Sequence, residues 1–478
     1  MLGTAIFHSP DRITRGAGNA KINEDGFLVT ELPPPVADIS TKVPTTSWVR
    51  ESLSFGYSTD IGIPGTLGFG VGTCPVLPAG FSAMTGTFDR DHDNYGNYLV
   101  DNSQSIMVWI PVFYYRITNA TSSPNYGTRT EISPVERPGF VVHRAFIDGG
   151  VVTDGFFVDK YLWSNANADG TDNEDTTGGI AASIASRRPV STHVDNNRIS
   201  YLTGNGQTPT DTYGGCFAAA KSRGDDFAPL SIFVYSALAM LALAHAQANP
   251  STSIAAWMDV APYAPKGCNN DALRDAQDGA VSYTTSGYSN QPLTGSGTPF
   301  AKTTHNGQAC GVADLNGAMW EIVAGLTNLG GPTASTYYIL QEAIALKDLI
   351  DATSGATAAF AADPYDLMDP VWWTDAAAYL YFGNATNQVL SGETSRSALA
   401  YHLTACGIMR DADGGAVGQV ATNAFGGDGF YRKHINVLAP IVGGTWDSSS
   451  VAGVWALGVH HARTFSTGLV GSRSVLYV

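Results

Sequence analysis

The stretch that most constrains what this chain can build is residues 441–478, IVGGTWDSSSVAGVWALGVHHARTFSTGLVGSRSVLYV. Small, permissive residues (Gly443, Gly444, Ala452, Gly453, Gly471) alternate there with side chains that want burial or a fixed partner: Trp446, Trp455, Leu457 and Arg473. Between these anchors stand Asp447, Ser448, Val451, Gly458, His460, His461, Arg463, Phe465, Thr467 and Leu469, which follow no apolar period. A frame of fixed type carrying freely chosen inserts is what a recognition surface on a rigid scaffold needs. The competing reading is an ordinary terminal hairpin whose aromatic residues form a core.

Length and composition narrow the class. A chain of 478 residues allows two to four domains. Hydrophobic residues at 44% suffice for a large core, while 53 Gly and only 14% charged residues point to a loop-rich globular protein. The net charge of −16, with no basic stripe, argues against nucleic-acid binding, because phosphate contacts need clustered Lys and Arg. Five cysteines (Cys74, Cys216, Cys268, Cys310, Cys406) without C-x-x-C spacing fit buried thiols in a protein made in a reducing cytoplasm. The first residues lack the basic start and apolar run of a signal peptide. The one long apolar segment, residues 230–248, contains Ser231, Tyr235, Ser236, His245 and Gln247 and follows acidic residues, which suits a buried helix rather than a membrane span.

Taken in order, residues 1–62 carry too little apolar content for a core of their own and are expected to form an attachment or oligomerisation segment, with a short strand over 48–57. Gly68, Gly70 and Gly72 are followed by Leu77-Pro78 rather than a helix start, so they make no phosphate loop. Residues 105–117 and 155–161 read as strands. Residues 229–249 read as a helix apolar all round, stopped by Asn249-Pro250, with His245 a satisfied histidine near its end. Asp314 and Asn316 are placed to close an Asx-type turn with Gly317, Trp320 to pack in the core, and Glu321 to accept backbone hydrogen bonds as a scaffold carboxylate. Residues 333–400 look like an excursion, helix-compatible over 338–350, with Trp372 and Trp373 more suited to core than to surface. No period of 20 to 50 residues recurs, so the chain is no solenoid.

These blocks carry a resemblance. Gly443-Gly444-x-Trp446, Ala452-Gly453-Val454-Trp455-Ala456-Leu457 and Val470-Gly471-x-Arg473 resemble the variable region of C-type-lectin-like proteins diversified by retroelements, a group that includes phage tail-fibre proteins. Residues 68–75 (GFGVGTCP), 93–98 (DNYGNY) and 107–116 (MVWIPVFYYR) look like the opening of its phage members. Residues 155–165 and 311–321 are similar to two blocks of the formylglycine-generating-enzyme fold, although Leu162 stands where that family has Glu. The resemblance implies an α+β, C-type-lectin-like fold of the formylglycine-generating-enzyme type over 63–478, with long loop insertions (333–400 among them). Residues 1–62 would precede it, and 441–478 would be the variable display segment.

By the same carry-over, Trp320, Glu321, Gly443, Gly444, Trp446, Trp455 and Arg473 hold the scaffold. Asp447, Ser448, Val451, Gly458, His460, His461, Arg463, Phe465, Thr467 and Leu469 meet a host-cell receptor, protein or glycan, with an exposed Phe465 beside Arg463 as the strongest contact. The implied setting is a phage virion tail, as a homotrimer beside other tail proteins, without nucleic-acid partner or membrane insertion.

Catalysis is the sharp rival. The family's oxidase chemistry needs a reactive cysteine pair in the C-terminal segment, and the last cysteine here is Cys406. His460 and His461 on a strand would point to opposite faces and chelate poorly. No nucleophile elbow, zincin helix or P-loop appears, so no catalytic, metal or cofactor site is expected. Calcium stays open at Asn167, Asp169, Asp172 and Glu174 and at Asp89, Asp91 and Asp93, although neither cluster has EF-hand spacing. The remaining alternatives are a non-adsorbing virion structural or decoration protein and, behind it, a formylglycine-generating-type oxidase.

Overall fold

A strand at the end of this sequence is inserted one place from the edge of a sheet begun almost four hundred residues earlier. In a computed structural model, Ser474–Tyr477 pairs on one side with Gly155–Asp159 and on the other with Ala228–Pro229. That sheet continues antiparallel through Ser105–Pro111, Asn97–Val100 and Phe81–Ala83. The structure describes residues 60–119, 128–173, 179–193, 212–248, 281–284, 291–296, 304–328, 337–349, 405–407, 429–432, 435, 437–446, 448 and 452–478, together with the backbone of strands at 13–15, 18–22, 28–30, 365–367 and 378–381. The described residues are mostly strands with few helices.

The chain divides into two units, Met1–Ser58 and Thr59–Val478. The first contains an antiparallel meander of Ile13–Arg15, Gly18–Ile22 and Leu28–Thr30. The strand expected at 48–57 lies outside the described residues, as do Trp372, Trp373 and Cys268.

In the second unit, the expected strand over 105–117 is two strands. Ser105–Pro111 ends at a proline, which has no N–H for the ladder, and the chain re-enters a different sheet as Tyr114–Asn119. Gly155 opposes Pro111 because a Cβ there would lie 2.4 Å from the Ile110 carbonyl oxygen and 2.5 Å from the Trp109 ring. Trp109 then packs against Phe157 at 4.9 Å between ring centroids.

The apolar helix is Ile232–Ala248. It begins later than the sequence suggests because Ala228–Pro229 is a strand and Ser231 caps the helix, its Oγ accepting the Val234 N–H at 3.1 Å. Residues 232–245 are buried on every side. Burying that many Leu, Met, Ile and Val side chains stabilises by about 1.5–3 kcal/mol each. A second helix, Thr212–Lys221, went unread because Gly214 and Gly215 depress its propensity. Burial of Tyr213, Cys216, Phe217, Ala219 and Ala220 carries it instead.

A second six-stranded sheet holds three of the four described strands of the C-terminal segment. Its order is Ala378–Tyr381, Gly429–Arg432, Leu457–Val459, Ile441–Val442, Trp320–Ile322, Val470–Gly471, with two parallel pairings. The helix-compatible stretch 338–350 is in fact the strand Tyr337–Leu340 followed by a 3₁₀ turn at Leu346–Asp348. Pairing on both sides, with Leu326–Asn328 and Tyr365–Leu367, overrides the local propensity.

Two buried ion pairs brace the core, one between the two six-stranded sheets and one between the first sheet and the turn after the helix Thr212–Lys221. Arg473 donates from Nε and Nη2 to both carboxylate oxygens of Glu321 at 2.5 and 2.7 Å, and from Nη1 to the Ala313 carbonyl oxygen at 2.9 Å. Arg223 grips Asp159 in the same two-pronged way at 2.8 and 2.7 Å, and Asp159 also accepts from Trp163 Nε1 and the Ser474 N–H. All four side chains of these pairs are fully buried. Glu321 therefore serves the scaffold through Arg473, not by accepting backbone hydrogen bonds. Burial raises its pKa, while the Arg473 charge pulls it down.

Asp314 departs from its expected local turn as well. Its carboxylate accepts the N–H groups of Gly295 and Leu162, while the Gly317 N–H goes to the Gly443 carbonyl oxygen. Burial raises the Asp314 pKa to about 6. His245 is satisfied only in part: its Nδ1 accepts the Gly65 N–H at 3.1 Å and its ring stacks on Phe69, while Nε2 is buried with no hydrogen-bond partner among the described residues. Cys74, Cys216, Cys310 and Cys406 are buried. Among the described residues, no helix is long and apolar enough to cross a membrane.

Candidate binding surface in the C-terminal segment

The frame of the final segment is buried throughout: Trp446, Trp455, Leu457 and Arg473 are each 3% exposed or less, and Trp320 and Glu321 lie beneath them. Gly443 and Gly444 take φ of +92° and +78°, and a Cβ on Gly444 would approach Ala452 Cα to 2.8 Å. Only glycine supports that turn without strain. Between Leu457–Val459 and Val470–Gly471 the ladder lapses, apart from one bridge between Leu438 and Ala462. Residues 460–469 therefore run as a loop from an interior strand of the sheet to its edge strand.

This loop bounds an open cavity of about 430 Å³. Ser448, His460, His461, Phe465, Thr467 and Leu469, six of the expected display residues, line it and are half-buried. Its deeper wall is buried Trp320, Ile441, Thr445 and Val470, with half-buried Tyr431. Asp447 and Val451 lie outside the described residues.

Two expected display residues are corrected. Gly458 is buried within a strand, paired with both Ile441 and Tyr431, because the segment is interior to its sheet there. Arg463 is 1% exposed, with its guanidinium 4.2 Å from the centre of the Tyr213 ring. It clamps the loop to the helix Thr212–Lys221, and the Tyr213 N–H donates to its carbonyl oxygen. Phe465, half-buried, therefore has no exposed arginine at its side.

The histidine pair is corrected too. The His460 and His461 ring centroids are 3.8 Å apart, because both residues follow the end of the strand and escape its alternation. They form part of a ring ladder: Trp320 meets Tyr431 edge-on at 5.8 Å, Tyr431 meets His460 at 5.6 Å, and His461 stacks on Phe465 at 3.5 Å. Burial, reinforced by His460, lowers the His461 pKa to about 3, so its imidazole is neutral at physiological pH. None of the described lining residues is Asp, Glu, Lys or Arg. The described wall is aromatic and edged with hydroxyls.

Tyr431, Ile441, Thr445 and Val470 are the wall residues that sequence reasoning missed, the two aliphatic ones because they read as ordinary strand core. Tyr431 arrives through a parallel pairing of Gly429–Arg432 with Leu457–Val459, which leaves no local pattern. Thr445 is flanked by Gly444 and Trp446 in the frame, and its polarity was the available signal.

No group of three His, Cys, Asp or Glu side chains among the described residues converges as a metal site. At the acidic loops, Asp169 Oδ1 accepts from Thr171 N and Oγ1, Asp172 pairs with Arg187 at 3.1 Å, and Asp89 accepts from the Asp91 N–H. Glu174 lies outside the described residues.

No protein-family model matches this sequence, and no curated protein matches it. Among solved structures, the chain is similar to the Major Tropism Determinant U1 Variant at 12% identity and a TM-score of 0.27, and to the I1 Variant at 11% and 0.27. The M1 Variant follows at 14% and 0.22. Each match covers 78% of this chain and 63% of the other, so the chain spans less than two thirds of these structures' length.

Proposed function

We propose that this chain is a phage receptor-binding protein, a tail-fibre or tail-tip adhesin without catalytic activity, and that the cavity edge formed by residues 460–469 is its contact with the host. The observation that carries this reading is the division inside one segment: the anchors are buried, and six of the intervening side chains meet around a single open cavity. Interface energy concentrates in aromatic residues that close on a pocket, and the ring ladder supplies them. A site this small binds weakly alone, so a homotrimer on the virion, attached through residues 1–62 to other tail proteins, gives the avidity. The C-type-lectin-like fold type and diversification of the segment by a retroelement belong to the same proposal. Light scattering of the purified chain tests the trimer and should give three times 50.3 kDa.

The direct test is adsorption of fluorescently labelled protein to intact cells from a panel of bacteria. The wild type should bind at least one strain, and His461→Ala/Phe465→Ala should bind it at least tenfold less. The control Val151→Ser/Val152→Ser, on an exposed strand elsewhere, should match the wild type. Equal binding by the cavity variant would remove the contact from this surface and favour a decoration protein.

A further inference from the structure

We infer that residues 61–72 form a strap that two buried, neutral histidines hold shut, and that mild acid lifts it and uncovers Phe69. The strap joins no sheet and takes positive φ at Gly62, Gly65, Gly68 and Gly70, so its backbone groups need partners from elsewhere. Side chains from two other parts of the chain supply them. His245, near the end of the helix Ile232–Ala248, accepts the Gly65 N–H through Nδ1 at 3.1 Å. Gln308 Oε1 accepts the Gly68 N–H at 2.7 Å, Asn306 Nδ2 donates to the Phe69 carbonyl oxygen at 3.0 Å, and His305 Nε2 meets the Gly70 carbonyl oxygen at 3.1 Å. His305 Nδ1 accepts the Val312 N–H at 3.0 Å, which assigns its ring proton to Nε2 and makes Nε2 the donor to Gly70.

Neither imidazole can take a second proton where it stands. On both rings that proton goes to Nδ1, turning an acceptor into a donor that faces a backbone N–H, of Gly65 for His245 and of Val312 for His305. His245 Nε2 is buried and meets no acceptor among the described residues, so nothing there steadies a cation. Both rings are buried, and the one charge acting between them is each other's. Burial lowers the His245 pKa to about 4 and the His305 pKa to about 3. The other titratable groups against the strap are Asp60, which accepts the Gly62 N–H, Arg90 and Tyr95 beside Gly68, and Cys310 behind Asn306; none of them bonds to either ring.

Lifting the strap returns the rings to water, where imidazole takes its proton near pH 6.5. The open form then binds more protons than the closed one and gains as pH falls. Closure is fully present above about pH 6.5 and weakens steadily towards pH 4, and between pH 7 and pH 5 the open fraction grows about 20-fold for each ring released. Ile63 and Leu67 are exposed on the closed strap, whereas Phe69 is fully buried with its ring stacked on His245 at 5.3 Å. Opening breaks that stack, so the acid form presents a continuous apolar stretch. The device stands whether or not the chain is an adhesin.

Amide hydrogen exchange of the full chain at pH 7 and pH 5, with each rate divided by that of an unstructured peptide at the same pH, tests the strap. Protection over 65–71 should fall at least tenfold at pH 5, while the first-sheet strands Ser105–Pro111 and Gly155–Asp159 keep theirs. His245→Asn and His305→Asn each put an acceptor that does not titrate where Nδ1 stood, and at least one of them should shrink the fall fivefold or more. The wild type alone can overturn the inference, by equal protection of 65–71 at both pH values or by a loss there only in step with the two strands. A fall undiminished in both variants would overturn the assignment to the histidines.

Discussion

Arg473 and His461 belong to the same C-terminal segment and live under opposite conditions. The guanidinium of Arg473 is fully buried, bound at both prongs by Glu321 and bonded to the Ala313 carbonyl oxygen. His461 sits on a loop, half-buried, held by ring contacts with His460 and Phe465 and facing an open cavity. Charge is used where the chain must not move, and neutral rings where it meets solvent. The comparison teaches that the mount's rigidity comes from non-local pairs, so the loop side chains are left out of the stability of the fold and available for contact.

The first way to break this comparison is to remove Arg473. Arg473→Ala strands the Glu321 carboxylate in the interior and should cost about 3–5 kcal/mol in urea unfolding. Replacing both partners, Glu321→Leu/Arg473→Met, should cost less than the single change, because no charge is left alone. A single variant within about 1 kcal/mol of wild type would show that the pair does not brace the mount.

Asp314 sharpens the same side through pH. Its folded pKa, raised to about 6 by burial, exceeds the unfolded value of about 3.9. Its contribution is therefore fully present below about pH 4 and is lost as pH rises through about 6. The limiting difference is on the order of 3 kcal/mol. Asp314→Asn also suits the residue's φ of +63°. Its stability relative to wild type should rise between pH 4 and pH 6 and level off above. Parallel stability curves for the two proteins across that range would refute the raised pKa.

Much of the mount was legible in the sequence, and the reason is its local chemistry. Gly443-Gly444 marked a permissive backbone, the paired tryptophans demanded burial, and the uniformly apolar run before Asn249-Pro250 demanded an interior helix. The partners were not legible. Nothing in the residues around Glu321 names Arg473, and nothing around Asp159 names Arg223, because both meetings are made by strand order. Arg463 misled for the same reason, since Tyr213 reaches it from a helix far off in sequence. The histidine pair misled because strand alternation was applied beyond Val459, where the strand stops.

A middle-sized effect is expected at the turn. Gly444→Ala meets both a positive φ and the Ala452 backbone at 2.8 Å, and should cost about 1–3 kcal/mol. A neutral result in thermal melting would mean that the turn relaxes freely. The smallest effects belong to the loop. Phe465→Ala should cost about 1 kcal/mol and Thr467→Ala within about 0.5 kcal/mol, since both side chains are half-exposed. Phe465→Ala costing as much as Arg473→Ala would assign Phe465 to the core and erase the distinction between the two regions.

Hydroxyl-radical footprinting of the full chain, free in solution and adsorbed on cells of a strain that binds it, tests the central claim most directly. Contact through the loop predicts that His460, His461 and Phe465 lose reactivity on adsorption, while the exposed residues Ile63, Phe88 and Val151 keep theirs. Unchanged reactivity at the three rings, with protection appearing at Ile63, Phe88 or Val151 instead, would contradict it.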